Sequence, residues 1–160
     1  MFANEQFTEY AEAYMDMIFR VALNYLRSRA DADDITQNIL LKLYRSQKVF
    51  ESDDHIKHWL IRVTINECKL ALLSPWRKTE PIDEYTSSLS FETPEQSELF
   101  DSVMNLPTKY RIAILLHYYE DYSTEEIAFL LKIPRATVLT HLKRARDRLK
   151  TNLLEVKHHV

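Results

Sequence analysis

The sequence predicts an all-α fold of two small helical domains joined by an acidic linker, the C-terminal domain a helix-turn-helix. Three observations predict it. No glycine occurs among the 160 residues, so Gly-rich phosphate loops, the dinucleotide fingerprint and glycine-dependent hairpins are excluded. Apolar residues recur at spacings of three and four through most of the chain, the period of a helix face. The pattern dissolves only from Thr79 to Glu98, TEPIDEYTSSLSFETPEQSE, which holds Pro81, Pro94, a Ser/Thr cluster and no basic residue. The expected boundaries are 1–78 for the first domain, 79–98 for the linker and 99–160 for the second domain. An apolar content of 46% supplies enough core for two such units.

The first helix follows from Phe7, Tyr10, Ala11, Tyr14, Ile18, Val21, Ala22 and Tyr25, which share one face and carry it to about Leu26. A second starts near Asp31 or Asp33, acids suited to a helix N-terminus, and runs through Ile35, Ile39, Leu40, Leu43 and Tyr44 to about Arg45. The third begins after Ser52-Asp53-Asp54, a capping cluster, and carries Ile56, Trp59, Leu60, Val63 and Leu70 until Pro75. Beyond the linker, helical spacing resumes around Leu99 to Met104, breaks at Leu106-Pro107 and returns in TKYRIAILLHYYE. Ser123-Thr124-Glu125-Glu126 is a capping box that opens a short helix through Ile127, Ala128 and Leu131. A brief turn at Lys132-Ile133 follows, and Pro134 stands where a helix start tolerates its missing donor.

Charge is unevenly spread over a net −3: −4 for 1–54, +4 for 55–78, −6 for 79–98, −3 for 99–128 and +6 for 129–150. A polyanion feels mainly charges within about a Debye length of ~10 Å, so the local sign decides. The last helix concentrates it. Leu130 to Lys150 holds Lys132, Arg135, Lys143, Arg144, Arg146, Arg148 and Lys150 against Asp147 alone. At about 100° per residue, Val138, Leu142, Ala145 and Leu149 gather toward the core. Thr140, Lys143 and Arg144 lie opposite, with Ala136 toward the helix start. Two short helices joined by a tight turn, the second basic, fit a helix-turn-helix whose second helix enters the major groove. The plainer reading, a solvated basic face, is weakened by the capped helix before it.

Other features exclude more than they suggest. One cysteine, Cys68, allows no internal disulfide and reads as a small buried residue. His55 and His58 lack a matched carboxylate pair at helical spacing, so no metal and no cofactor is expected. The N-terminus is acidic and amphipathic, unlike a signal peptide, and no apolar run approaches the ~20 residues that span a bilayer, so a cytoplasmic protein without membrane insertion is expected.

LPTKYRIAILLHYYEDYSTEEIAFLLKIPRATVLTHLKRARDRL resembles the C-terminal domain of extracytoplasmic-function (ECF) sigma factors, which binds the promoter's minus-thirty-five element. Response-regulator helix-turn-helix segments share part of this pattern. The N-terminal half adds two more likenesses. DADDITQNILLKLYRS resembles the helix that grips the clamp of core RNA polymerase, and HWLIRVTINECKLALLSPWRK, preceded by FESDDH, resembles the helix that handles the minus-ten element. The resemblance spans Tyr14 to Leu149. It implies an alternative sigma factor without catalytic chemistry of its own, with core RNA polymerase, promoter DNA and an anti-sigma factor as partners. By the same resemblance Asp33, Asp34, Gln37, Asn38 and Leu41 bind polymerase. Trp59, Arg62, Asn66, Lys69, Arg135, Thr137, Leu139, Thr140, Lys143 and Arg144 bind DNA, and the linker lies along the RNA exit path.

This chain departs from the family pattern in places. Lys132 and Ala136 stand where the family has glycine, so a turn of another conformation is expected at Lys132, because a left-handed non-glycine residue costs roughly 1 to 2 kcal/mol. Leu139 and His141 replace arginines, which puts the family's usual promoter sequence in question. Leu139 itself can read a thymine methyl or seal the domain edge. Leu70, Leu73, Ser74, Pro75 and Trp76 leave fewer cations on the first domain. Trp59 lies on the apolar stripe, which favours a core role over stacking on a base. Two rival functions are a stand-alone helix-turn-helix regulator, which leaves the N-terminal motifs unused, and a helical nucleotide hydrolase. The hydrolase needs carboxylates converging on magnesium, whereas Asp31, Asp33 and Asp34 are explained by a helix dipole.

Overall fold

The computed structural model describes residues 4–46, 48–75 and 93–158, with side chains from Glu5 to Asn152. Every regular element among them is helical. The chain divides into two compact units, Met1–Thr79 and Glu80–Val160. Most of the expected linker lies outside the described residues.

The first unit consists of α1 (Asn4–Leu26), α2 (Arg29–Arg45) and α3 (Asp53–Leu72), each touching the other two. Its core joins Ile18, Val21, Ala22 and Leu26 of α1 to Ile39 and Leu43 of α2 and to Ile56, Leu60, Ile61 and Ile65 of α3, all buried. Each large aliphatic side chain contributes roughly 1.5 to 3 kcal/mol by leaving water. The α2 start falls before the expected acids, because the Ser28 hydroxyl accepts the Asp31 N–H at 3.2 Å and caps the helix there. Ser52 caps α3 as expected, accepting the His55 N–H at 3.1 Å. The helix stops at Leu72 because residues just before a proline leave the helical region. Thr36 and Thr64 are buried with their hydroxyls donating to the carbonyls of Ala32 and Leu60 at 2.7 and 2.6 Å, which satisfies both hydroxyls inside the core. Cys68 is buried and reduced.

The second unit consists of α4 (Pro94–Met104), α5 (Thr108–Ile114), α6 (Thr124–Leu131) and α7 (Arg135–His158), with a π-helical turn Leu115–Tyr119 extending α5. The start of α4 corrects the expected linker end: Thr93 caps the helix, accepting the Gln96 N–H at 3.2 Å, and Pro94 occupies the first turn. Residues 94–98 are therefore helical. Helix α7 packs on α4, α5 and α6, burying Val138, Leu142 and Ala145 against Leu106, Ile112, Leu116, Ile127 and Leu130. The capping box is present in full, with Ser123 accepting from Glu126 N–H and Glu126 accepting from Ser123 N–H, both at 3.1 Å.

The turn between α6 and α7 overturns one expectation. Lys132 adopts the left-handed conformation, φ 57° and ψ 45°, so the turn keeps a glycine-like geometry without glycine. The Ile133 N–H closes it by donating to the Ala128 carbonyl at 3.1 Å, and burial of Ile127, Leu130 and Val138 on either side offsets the strain. Lys132→Gly should relieve roughly 1 to 2 kcal/mol of strain and lose about half of that to the freer unfolded chain. The net gain of up to about 1 kcal/mol should raise the melting temperature of this unit by about 4 to 8 °C. Lys132→Ala, which keeps a Cβ, should not, and circular-dichroism melts of the two variants compare them directly.

Candidate nucleic-acid interface

Helices α6 and α7 form the helix-turn-helix, and two side-chain links fix their relation. Arg135 Nε donates to Thr124 Oγ1 at 3.0 Å and pairs with Glu125 at 3.1 Å, tying the start of α7 to the start of α6. Arg135, expected on DNA, is thus engaged within the domain. Pro134 sits just before the helix rather than in its first turn, and its carbonyl accepts the N–H groups of Thr137 and Val138 at 3.0 and 3.2 Å.

The outer face of α7 is as the helical advance requires. Ala136, Thr140, Lys143 and Arg144 are exposed. Thr140 donates its hydroxyl to the Ala136 carbonyl at 3.0 Å, which leaves its oxygen lone pairs outward. Lys143 faces Asp147 at 3.7 Å, a surface pair one turn apart, worth about 0.3 to 0.5 kcal/mol and easily exchanged for a phosphate. Leu139 is 43% exposed, so it lies on the accessible edge rather than in the core. Thr137 is half-buried beside α7's inner face.

One flank of α7 carries a cluster that no sequence pattern announced. Tyr110 of α5 is buried, its ring 5.5 Å from that of His141, with Lys109 Nζ 5.2 Å and the Arg148 guanidinium 5.1 Å from its centroid. A hydrogen bond from Arg144, helped by the charges of Lys109, Arg144 and Arg148, holds the Tyr110 hydroxyl below its ordinary pKa of 10.0 against the opposing effect of burial. Burial first, then the charges of Lys109 and Arg144, hold the His141 imidazole below 6.5, and its Nδ1 is buried without a hydrogen-bond partner. Lys109, Tyr110 and Arg148 lie within the segment that resembles the family, but no spacing in it brings them together, and His141 stood out only as a replaced arginine. On the opposite flank Arg146 Nη1 donates to the Tyr118 hydroxyl at 3.2 Å.

The depressed His141 pKa has a thermodynamic sign. As pH falls through about 6.5 the unfolded chain takes up a proton that the folded chain refuses, so the stabilising contribution, complete above that value, is lost as pH falls through the folded pKa. His141→Gln should therefore flatten part of the acid-side decline in melting temperature between about pH 7 and 5. Parallel pH profiles for variant and parent would show that His141 feels no such field.

In the first unit the exposed face of α2 gathers Asp33, Asp34, Gln37, Asn38 and Leu41, all accessible, Leu41 at 45%. Their spacing places them within about 140° of the helix circumference. Asn38 and Leu41 also line a surface cleft of about 560 Å³ with Lys42, Arg45, Ser46, Trp59 and Glu67. Lys42 and Glu67 form an ion pair between α2 and α3. On α3, Trp59, Arg62, Asn66 and Lys69 fall within about 80° of one another, the last two exposed and the first two half-buried.

Trp59 corrects the sequence preference for the core. It stands half-buried on the cleft rim, its ring 5.4 Å from Phe50 and capped by Lys48 Nζ at 6.0 Å. Phe50 in turn meets Tyr10 and His55 at 6.3 and 5.3 Å, so the loop before α3 rests on aromatic edges. Among the described residues no group of three or more His, Cys, Asp or Glu side chains converges as a metal site. No described helix is long and apolar enough to cross a membrane.

Residues 10–78 match the Sigma-70 region 2 model, and residues 97–149 match the Sigma-70, region 4 model. The chain is 30% identical over 158 residues to the ECF RNA polymerase sigma-E factor of Haemophilus influenzae, covering 88% of this chain and 83% of that protein. It is 27% identical over 175 residues to the ECF RNA polymerase sigma factor SigW of Bacillus subtilis, covering 95% and 91%. In fold it is similar to the sigma factor RpoE from Bartonella quintana, solved with the anti-sigma factor NepR, at a TM-score of 0.73, 20% identity and coverage of 93% and 97%.

Proposed function

Because this chain belongs to the ECF sigma factors, alternative sigma subunits that direct RNA polymerase to promoters, we propose a division of labour among its faces. The α2 face of Asp33, Asp34, Gln37, Asn38 and Leu41 docks on the polymerase clamp. The α3 face of Trp59, Arg62, Asn66 and Lys69, with the loop from Phe50 to His55, captures the non-template strand of the minus-ten element. Helix α7 reads the minus-thirty-five duplex through Leu139, Thr140, Lys143 and Arg144, with Thr137 and Arg135 at its entry. The domains act as 1–78 and 94–160, the acidic linker between them lying along the RNA exit path, where its charge resembles that of nucleic acid. The protein works in the cytoplasm, supplies no catalysis itself, and is held in check by an anti-sigma factor that covers the polymerase-binding face.

The observation that carries this reading is the pairing of two exposed helix faces, one polar and acidic on α2 and one cationic on α7, within the two regions that the family models match in order. Transcription by core polymerase with this protein, followed by start-site mapping, tests it. Discrete starts absent with core alone are expected, and none would overturn it.

Leu139 offers a finer test. An exposed side chain on the edge of α7 can be lengthened without disturbing the core, so Leu139→Arg should leave thermal stability nearly unchanged. It should shift the preferred upstream sequence toward guanine, whose two acceptors match the arginine fork, by about 1 to 3 kcal/mol of discrimination. Selection from a randomised upstream element measures it, and an unchanged preference would remove Leu139 from the reading face.

A further inference from the structure

Three cations meet at Tyr110 without an acid. Lys109 Nζ and the Arg148 guanidinium lie 5.2 and 5.1 Å from the ring centroid, and Arg144, exposed one turn before Arg148 on α7, is near enough to lower the Tyr110 pKa. No described carboxylate pairs with any of the three, whereas their neighbours Arg135 and Lys143 both have one. His141 adds no charge near neutral pH, since burial and the surrounding cations favour its neutral form. The seat therefore carries three positive charges on a rigid base, Tyr110 being 3% exposed and α5 packed on α7.

We propose that Lys109, Arg144 and Arg148, gathered round Tyr110, form a seat for one backbone phosphate of the promoter's upstream duplex. The inference rests on the sigma-factor reading and adds Lys109 and Arg148 to it, at the edge of the recognition face that Arg144 borders. Cations held together this way repel one another, and a tetrahedral anion removes the repulsion while accepting the N–H groups of guanidinium and ammonium. The position on the helix selects DNA as the source of that anion. Arg144 and Arg148 are one turn apart on one side of α7, about 130° and 90° from its core-facing side. With the outer face in the major groove, that flank meets a strand bordering the groove. The opposite flank holds Arg146 against Tyr118 at 3.2 Å, so each flank pairs an arginine with a tyrosine that can fix its direction.

The test uses holoenzyme assembled from the full chain and core polymerase, on duplex selected from a randomised upstream element. In Lys109→Gln/Arg148→Gln the slope of log Kobs against log salt should fall by about 0.9, the value for one phosphate contact. Binding should weaken about fivefold near 0.15 M salt, as that slope implies, with the selected sequence unchanged. Replacing single phosphates by neutral methylphosphonates should reveal one position that weakens the parent by a similar factor and leaves the double variant indifferent. An unchanged slope, or a variant as sensitive as the parent at every position, would overturn the seat. Saturable thermal stabilisation of the parent chain by inorganic phosphate, without any methylphosphonate effect, would assign the cluster to a free anion and also overturn it. A parent holoenzyme that selects no upstream sequence would instead overturn the sigma-factor reading, and the seat with it.

Discussion

Arg111→Met should lower the melting temperature of the second unit by on the order of 10 to 20 °C, a large effect for a polar side chain. Arg111 is 3% exposed, and its guanidinium is committed within the domain. Nη1 donates to the Leu106 carbonyl at 2.8 Å and Nη2 to the Thr108 hydroxyl at 3.1 Å. Leu106 precedes Pro107, which caps α5 with its carbonyl and has no side-chain donor of its own to offer. The arginine thus holds the bend between α4 and α5 from inside. Hydrogen bonds to charged groups contribute about 1.5 to 3 kcal/mol each, and removing the donor leaves buried acceptors unpaired, so a net loss of roughly 3 kcal/mol follows. A domain of this size changes its melting temperature by about 4 to 8 °C per kcal/mol. Arg111→Lys should recover only part, because an ammonium cannot span two acceptors as a planar fork does. Thermal unfolding of the full chain followed by circular dichroism checks this, and a drop of less than a few degrees would show that the bend is held by packing alone.

The largest functional effect is expected in the first unit. Asp34→Ala combined with Gln37→Ala should weaken binding to core polymerase by roughly 2 to 4 kcal/mol, the range of interface hot spots, or about 30- to 1,000-fold in Kd. Both side chains are exposed on α2, while the core side of that helix is held by Ile35, Ile39 and Leu43. The substitutions should therefore leave the stability within about 1 kcal/mol of the parent, as surface changes do. Both also favour helix, since alanine has the highest propensity. DNA selection by α7 should be untouched, because the altered residues belong to the other compact unit. Affinity capture on immobilised core polymerase measures the effect, and parent-strength capture of the double variant would remove these residues from the docking face.

Much of the molecule was legible in the sequence because its signals are local. Caps at Ser52 and Ser123 act on N–H groups two or three residues away, and a helix face repeats within four. Val138, Leu142 and Ala145 therefore announced the inner side of α7 without any knowledge of what covers it. The exposed positions on α7 followed by the same periodicity, whereas those on α2 followed from the family likeness. The absence of glycine excluded whole classes of site, but it misled at Lys132. There a local preference worth about 1 to 2 kcal/mol is outweighed by the burial of Ile127, Leu130 and Val138, a cost and a gain that only the packed domain brings together.

By itself, then, the sequence determined the helices, their order, their inward faces and the family likeness, all of which depend on residues within a turn or two of each other. The tertiary structure decided what depends on residues far apart. It brought Tyr110 beneath Arg144 and Arg148, placed Trp59 on a cleft rim against Phe50, and engaged Arg135 with Thr124 and Glu125. The physical reason is that a periodic pattern tells which side of a helix leaves water, whereas the partner it meets is chosen by the packing of several helices at once.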